Sequence, residues 1–170
     1  MSKDLQKTDK NDINISKSGK LDLLNINTSA LTASLNDLAI PRLFYQLVIF
    51  VLDGSGSMTY PGISGNSKGE EVENAVKKVI ERLINSKNKN SFDISFWAYA
   101  NESVKISSIS PVESFNLNQS INPCDFIQKY DGTNLISTLV SVKKECEDYL
   151  KLNKLKNAQA LVVILSDGAL

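Results

Sequence analysis

The chain has no histidine among its 170 residues, which removes the usual nitrogen ligand of zinc sites and the usual general base near neutral pH. A Ser-His-Asp relay is excluded within this polypeptide. Cysteine is scarce as well. Cys124 and Cys146 stand alone, match no metal-ligand spacing, and are expected to be buried or partly buried free thiols rather than a disulfide. Net charge is missing, because 19 basic and 19 acidic residues cancel, so no broad field points to nucleic acid or an anionic membrane. The longest apolar run, LVIFVL at 47–52, is far too short to span a bilayer. The start, MSKDLQKTDKND, lacks the apolar region of a secretory signal peptide, and a soluble cytoplasmic protein is expected.

The length, with 42% apolar residues, allows one domain with a real core. Residues 1–20 are rich in Lys, Asp, Asn and Ser without a lasting period, and read as a disordered tail. Leucines thicken from Leu21 to Ile40, where Ser34 or Asn36 offers a cap and Pro41 closes the segment. Residues 1–40 are therefore a mostly disordered or accessory segment, and its second half is either a packed element or a partner-binding peptide. The domain proper covers 41–170.

Within that domain, strand-like runs alternate with helical stripes. YQLVIFVL at 45–52 is apolar on both faces and partly β-branched, as a central parallel strand should be. Val72, Ala75, Val76, Val79, Ile80 and Leu83 form an amphipathic helical stripe. Phe92, Ile94, Phe96 and Ala98 then alternate with Asp93, Ser95 and Trp97, and Val104, Ile106 and Ile109 follow across AYANES. That connection is too short for a parallel return, so an antiparallel hairpin is expected. Trp97 should pack beneath a helix. Leu135, Leu139, Val142, Cys146 and Leu150 make a second stripe, and ALVVIL at 160–165 is another buried-strand pattern. Strands interleaved with helices give an α/β, three-layer, doubly wound fold. The sequence stops soon after ALVVIL, leaving an apolar sheet edge. A truncated product, a fragment, or a partner covering that edge would each account for it.

Polar residues punctuate the strand ends: Asp53, Ser55 and Ser57 in VLDGSGSM, Thr133 in DGTNL, and Asp167 in VVILSDG. In a parallel sheet these clusters meet at the carboxyl end, where open α/β folds bind ligands. Hydroxyl and carboxylate oxygens are hard donors suited to Mg²⁺, Ca²⁺ or Mn²⁺. Gly54 and Gly56 are expected to let the loop turn tightly, with Met58 packed beneath it. The loop continues through Pro61, Gly62, Gly65 and Gly69 toward a mobile tip. Gly132 should allow the backbone to present Thr133, just before a helix start whose free N–H groups favour an anion, while Asp131 caps that turn.

The pattern Asp-x-Ser-x-Ser at Asp53, Ser55 and Ser57, with Thr133 in GTN and Asp167 in LSDG, resembles the von Willebrand factor type A domain and its metal-ion-dependent adhesion site. The resemblance runs from about Leu43 to the end of the sequence. It implies a Rossmann-like, mostly parallel sheet with helices on both faces and one antiparallel edge strand, truncated here after the fourth strand. It also implies Mg²⁺, or another divalent ion, held directly by Ser55, Ser57 and Thr133, with Asp53 and Asp167 acting through water. A partner protein's acidic side chain would complete the coordination. The LDGSGSM start further resembles the cytoplasmic bacterial tellurium-resistance-associated TerY group, whose members work in multi-protein stress or defence systems.

The expected function is thus a metal-dependent protein–protein interaction module and not an enzyme. One alternative is a Mg²⁺-dependent phosphatase or phosphotransferase of haloacid dehalogenase-like layout, with Asp53 as nucleophile. It would want a second acid where Ser55 stands and a lysine in a defined site to steady the phosphoryl group, and Lys129, before DGTN, is not a convincing one. Another alternative is a structural assembly subunit without functional metal. A nucleotide site is weaker still, because DGSGSM lacks the lysine of a phosphate-binding loop.

Overall fold

Strand β1 (Tyr45–Asp53) is buried along seven consecutive residues, which is possible only for a strand flanked on both sides and covered on both faces. The computed structural model describes residues 42, 44–128 and 132–168. The expectations for 1–40, for the Asp131 cap and for Lys129 lie outside the described residues. Beside β1 run β2 (Phe92–Tyr99) and β4 (Ala158–Leu165), both parallel to it, and β3 (Ser103–Pro111) pairs antiparallel with β2. The strand order is β3-β2-β1-β4. Helix α1 (Lys68–Ile84) and helix α2 (Leu135–Leu152) cover the sheet. The three-layer α/β expectation and the antiparallel edge hairpin are both met, and among the described residues the sheet ends with the fourth strand.

The alternation of a strand sorts β1 between the two layers. Val48, Phe50 and Leu52 join Ile94 and Phe96 of β2 against Val76 and Ile80 of α1. Leu47, Ile49 and Val51 face the other way, with Tyr99 of β2, against Val142 and Tyr149 of α2. Phe50 lies opposite Phe96 in register, and the two rings stack at 5.3 Å between centroids. Each fully buried side chain of this size stabilises by about 2–3 kcal/mol.

Helix α1 begins four residues before its first stripe residue, Val72. Ser67 accepts from the Glu70 backbone N–H while Glu70 accepts from that of Ser67, a reciprocal cap written in the sequence as S-K-G-E. The buried stripe is narrower than the apolar pattern: Val76 and Ile80 are inside, while Ala75 and Val79 face solvent. On α2 it is Tyr149, not Leu150, that turns inward. Successive residues sit about 100° apart around a helix, so a neighbour of similar hydropathy can carry the wrong angle.

The second face of β2 is polar yet buried. Asp93 accepts two hydrogen bonds from Arg42, at 3.0 and 2.8 Å, and one from the Tyr149 hydroxyl at 2.7 Å. Burial and the Asp93 carboxylate push the Tyr149 phenol well above its ordinary pKa, so it remains a donor. Ser95 donates to Glu145 at 3.0 Å, and the Trp97 indole donates to the same carboxylate at 2.8 Å, placing Trp97 beneath α2 as expected. At the far edge, β4 leaves Leu161 and Ile164 exposed.

Two outcomes follow from this packing. Asp93→Ala leaves a half-buried guanidinium and a phenol without their acceptor and should cost about 3 kcal/mol in urea unfolding, whereas Lys143→Ala, from an exposed ion pair, should stay within about 0.5 kcal/mol. Cys124 and Cys146 are both outside any disulfide, and the pKa of each thiol is raised, first by burial and then by Asp125 and Glu145 respectively. A raised pKa means less thiolate, so both should react with a disulfide reagent at pH 8 more slowly than in the denatured chain, and the gap should narrow as pH rises.

Candidate functional site

Asp53 is the last residue of β1 and has none of its surface exposed. Its Oδ1 accepts the Ser55 N–H at 2.8 Å, closing a turn directly after the strand. Its Oδ2 accepts the Ser166 hydroxyl at 2.9 Å and, more weakly, the Tyr99 hydroxyl at 3.4 Å. Burial, with the Asp53 charge second, pushes the Tyr99 phenol up to about 12, so it stays protonated and donates. Among the described residues, this carboxylate is met by one N–H and two hydroxyls rather than by a side-chain cation.

After the turn, Gly56–Thr59 forms a single 3-10 turn with Met58 buried beneath it. The turn brings Ser55 Oγ within 3.1 Å of Ser57 Oγ. Gly54 has a different reason from the one expected. A Cβ there would stand 2.7 Å from Ile127 Cγ1 and 3.1 Å from the Pro123 carbonyl oxygen, so glycine is required by close approach rather than by backbone conformation. The following loop is stitched rather than open. Pro61 bridges to Ser67, and Glu71 accepts from both the N–H and the hydroxyl of Ser64.

Thr133 reaches the same end of the sheet by another route. The Asn134 N–H donates to the Ala100 carbonyl at 2.6 Å, tying the loop to the residue just past β2. Gly132, at φ +89°, makes the turn that precedes it. The Asn134 side chain accepts from the Ser137 N–H and is the cap of α2, so Thr133 stands exposed one residue before the cap. Asp167 lies two residues beyond β4, whose pairing with β1 runs to Leu52↔Leu165. Its Oδ2 accepts from Lys68 Nζ at 2.9 Å.

All five sequence-predicted residues therefore stand at the carboxyl ends of the parallel strands or at a helix start anchored there. Asp53, Ser55 and Ser57 are joined by direct contacts. Thr133 and Asp167 lie at the same end of the sheet, through the Asn134–Ala100 hydrogen bond and the β1–β4 register. Sequence reasoning missed Tyr99, the partner of Asp53 across the β1–β2 register, and missed the roles of Ser166 and Lys68. The alternation of β2 was a usable signal for Tyr99; the Lys68 contact had none.

The donor set suits a hard divalent ion. It consists of oxygen atoms only, and the 3.1 Å between the serine hydroxyls matches the roughly 3 Å between neighbouring oxygens around an ion with bonds of about 2 Å. Among the described residues no three acidic or cysteine side chains gather into a metal cluster.

Residues 48–170 match the model of the von Willebrand factor type A domain. The chain belongs to that family. No curated protein matches it. Among solved structures, it is similar to the pilus adhesin SpaC from Lactobacillus rhamnosus GG, at 15% identity and TM-score 0.57, covering 73% of this chain and 15% of that one. It is also similar to the PilB minor pilin from Streptococcus sanguinis, at 16% identity and TM-score 0.53, covering 76% of this chain and 31% of that one. The chain thus spans less than a third of either protein, and at such identities what is shared is the fold.

Replacing Gly54 by Ala should cost about 2 kcal/mol in denaturant unfolding, since Ile127 and the Pro123 backbone must give way. An unchanged midpoint would contradict the close-approach reading.

Proposed function

We propose that this von Willebrand factor type A domain, a protein-interaction module, captures a partner protein in a divalent-metal-dependent way, through an acidic side chain of that partner. The observation that carries this reading is the pair of serine hydroxyls 3.1 Å apart on the turn whose Ser55 N–H is held by the buried Asp53 carboxylate. Ser55, Ser57 and Thr133 would hold Mg²⁺, Ca²⁺ or Mn²⁺ directly, with Asp53 and Asp167 acting through water or hydrogen bonds. When bound, the ion supplies concentrated positive charge with a position open to a carboxylate.

The chain's own residues make such a site selective. Neutral hydroxyls leave the charge of an ion less quenched than carboxylates would, which favours an anionic partner group. Asp53 orients Ser55 through its backbone N–H, and Ser166 and Tyr99 fix the carboxylate that does the orienting. The loop at 58–70, stitched by the Pro61–Ser67 bridge, would shape partner choice.

The phosphatase layout fits these contacts poorly. A nucleophilic carboxylate must reach substrate, and Asp53 is covered, with both oxygens engaged. A metal-free structural subunit would leave the Asp53–Ser55–Ser57 arrangement without a purpose. The exposed β4 edge remains a surface that such a partner could also cover. Among the described residues no helix is long and apolar enough to cross a membrane. Cytoplasmic placement and a role like that of the tellurium-resistance-associated group in stress or defence rest on the sequence patterns alone.

The test is melting and partner capture with Mg²⁺ and with chelator. Saturating Mg²⁺, at about 100 times its dissociation constant, should stabilise the wild type by about 2.7 kcal/mol. Ser57→Ala, at a half-buried hydroxyl on the turn, should remove that gain while leaving melting in chelator nearly unchanged. Capture that survives both chelator and Ser57→Ala would sink the proposal.

A further inference from the structure

Lys68 is the first residue of α1, a position where a positive charge is disfavoured by the helix dipole. Its ammonium reaches across 99 positions of sequence to Asp167, donating at 2.9 Å to Oδ2. The Asp167 side chain is largely covered, while Lys68 is about a third exposed. The base of the lysine is fixed: its N–H donates to the Tyr60 carbonyl at 3.0 Å, and Ser67 before it is held in the reciprocal cap. Its charge is therefore aimed at the site by the backbone, at some electrostatic disadvantage to its own helix.

We propose that Lys68 is a resident cation that competes with the divalent ion for Asp167 and so sets the ion concentration at which the site fills. The inference rests on the metal-dependent reading above. Of the two carboxylates expected to balance the ion, one is already paired to an ammonium, so the field that an incoming cation meets is weaker by one charge. Binding must then either draw Asp167 away from Lys68 or tolerate a positive neighbour a few ångströms away. In both cases affinity falls, while a loaded site keeps more positive charge to offer an anionic partner.

The experiment is calorimetric titration of the full chain with Mg²⁺ and with Mn²⁺, comparing wild type, Lys68→Met, Lys68→Arg and Ser57→Ala. Removing the charge in Lys68→Met should tighten both ions about tenfold, the size expected for one unit charge acting on a divalent ion at a partly exposed site. Lys68→Arg keeps the charge and should bind close to wild type. Thermal melting in chelator checks that both variants fold. Equal or weaker binding by folded Lys68→Met would overturn the competition and make Lys68 a support that holds Asp167 for the ion. That result would leave the metal reading standing, because wild type would still bind and Ser57→Ala would not. Absence of binding in every variant, or binding that persists in Ser57→Ala, would overturn both.

Discussion

A carboxylate stripped of solvent at the end of the central strand is the constraint around which this molecule is arranged. Asp53 has no exposed surface, and burying an anion is costly unless donors replace the water it loses. The donors come from three places: the turn that follows, the adjacent strand β2, and the segment after β4. Satisfying one side chain therefore fixes the relative position of the carboxyl ends of β1, β2 and β4. The same contacts set Ser55 beside Ser57 and bring Asp167 to the neighbouring strand end.

The two faces of the sheet solve different problems. Toward α1 the packing is apolar throughout, with Phe50 stacked on Phe96. Toward α2 it mixes apolar side chains with two polar knots, Arg42–Asp93–Tyr149 and Ser95–Trp97–Glu145. Such knots stabilise only if every member is paired, but they specify register, since a one-residue slip of β2 would bury their partners unmatched. A well-registered β2 then holds Tyr99 opposite Asp53, so the polar face serves the site indirectly.

Much of the fold was legible because its signals are local. Apolar runs at 47–52 and 160–165 state buried strands, and AYANES is short enough to force the hairpin. The boundary of α1 was legible too, in S-K-G-E, although the apolar period alone places it four residues late. Angles around a helix axis were less legible: Val79 and Leu150 have the right chemistry and the wrong direction. On the second face of β2 the burial of Trp97 was legible but the pairing of Asp93 and Ser95 was not, because their partners Arg42, Tyr149 and Glu145 lie far along the chain.

By itself the sequence determined the strands, the helices, the antiparallel edge, and the five oxygen-bearing residues at strand ends, since each depends on period, turn length or a motif of a few residues. Tertiary structure alone decided why Gly54 must be glycine, which hydroxyls steady Asp53, and that Lys68 sits on Asp167. The last two depend on atoms separated by 46 to 113 positions meeting at 2.9–3.4 Å, and the first on Ile127 and Pro123, distant in sequence, closing on Gly54. No local pattern encodes such a meeting, because it exists only once the parallel strands have aligned their ends.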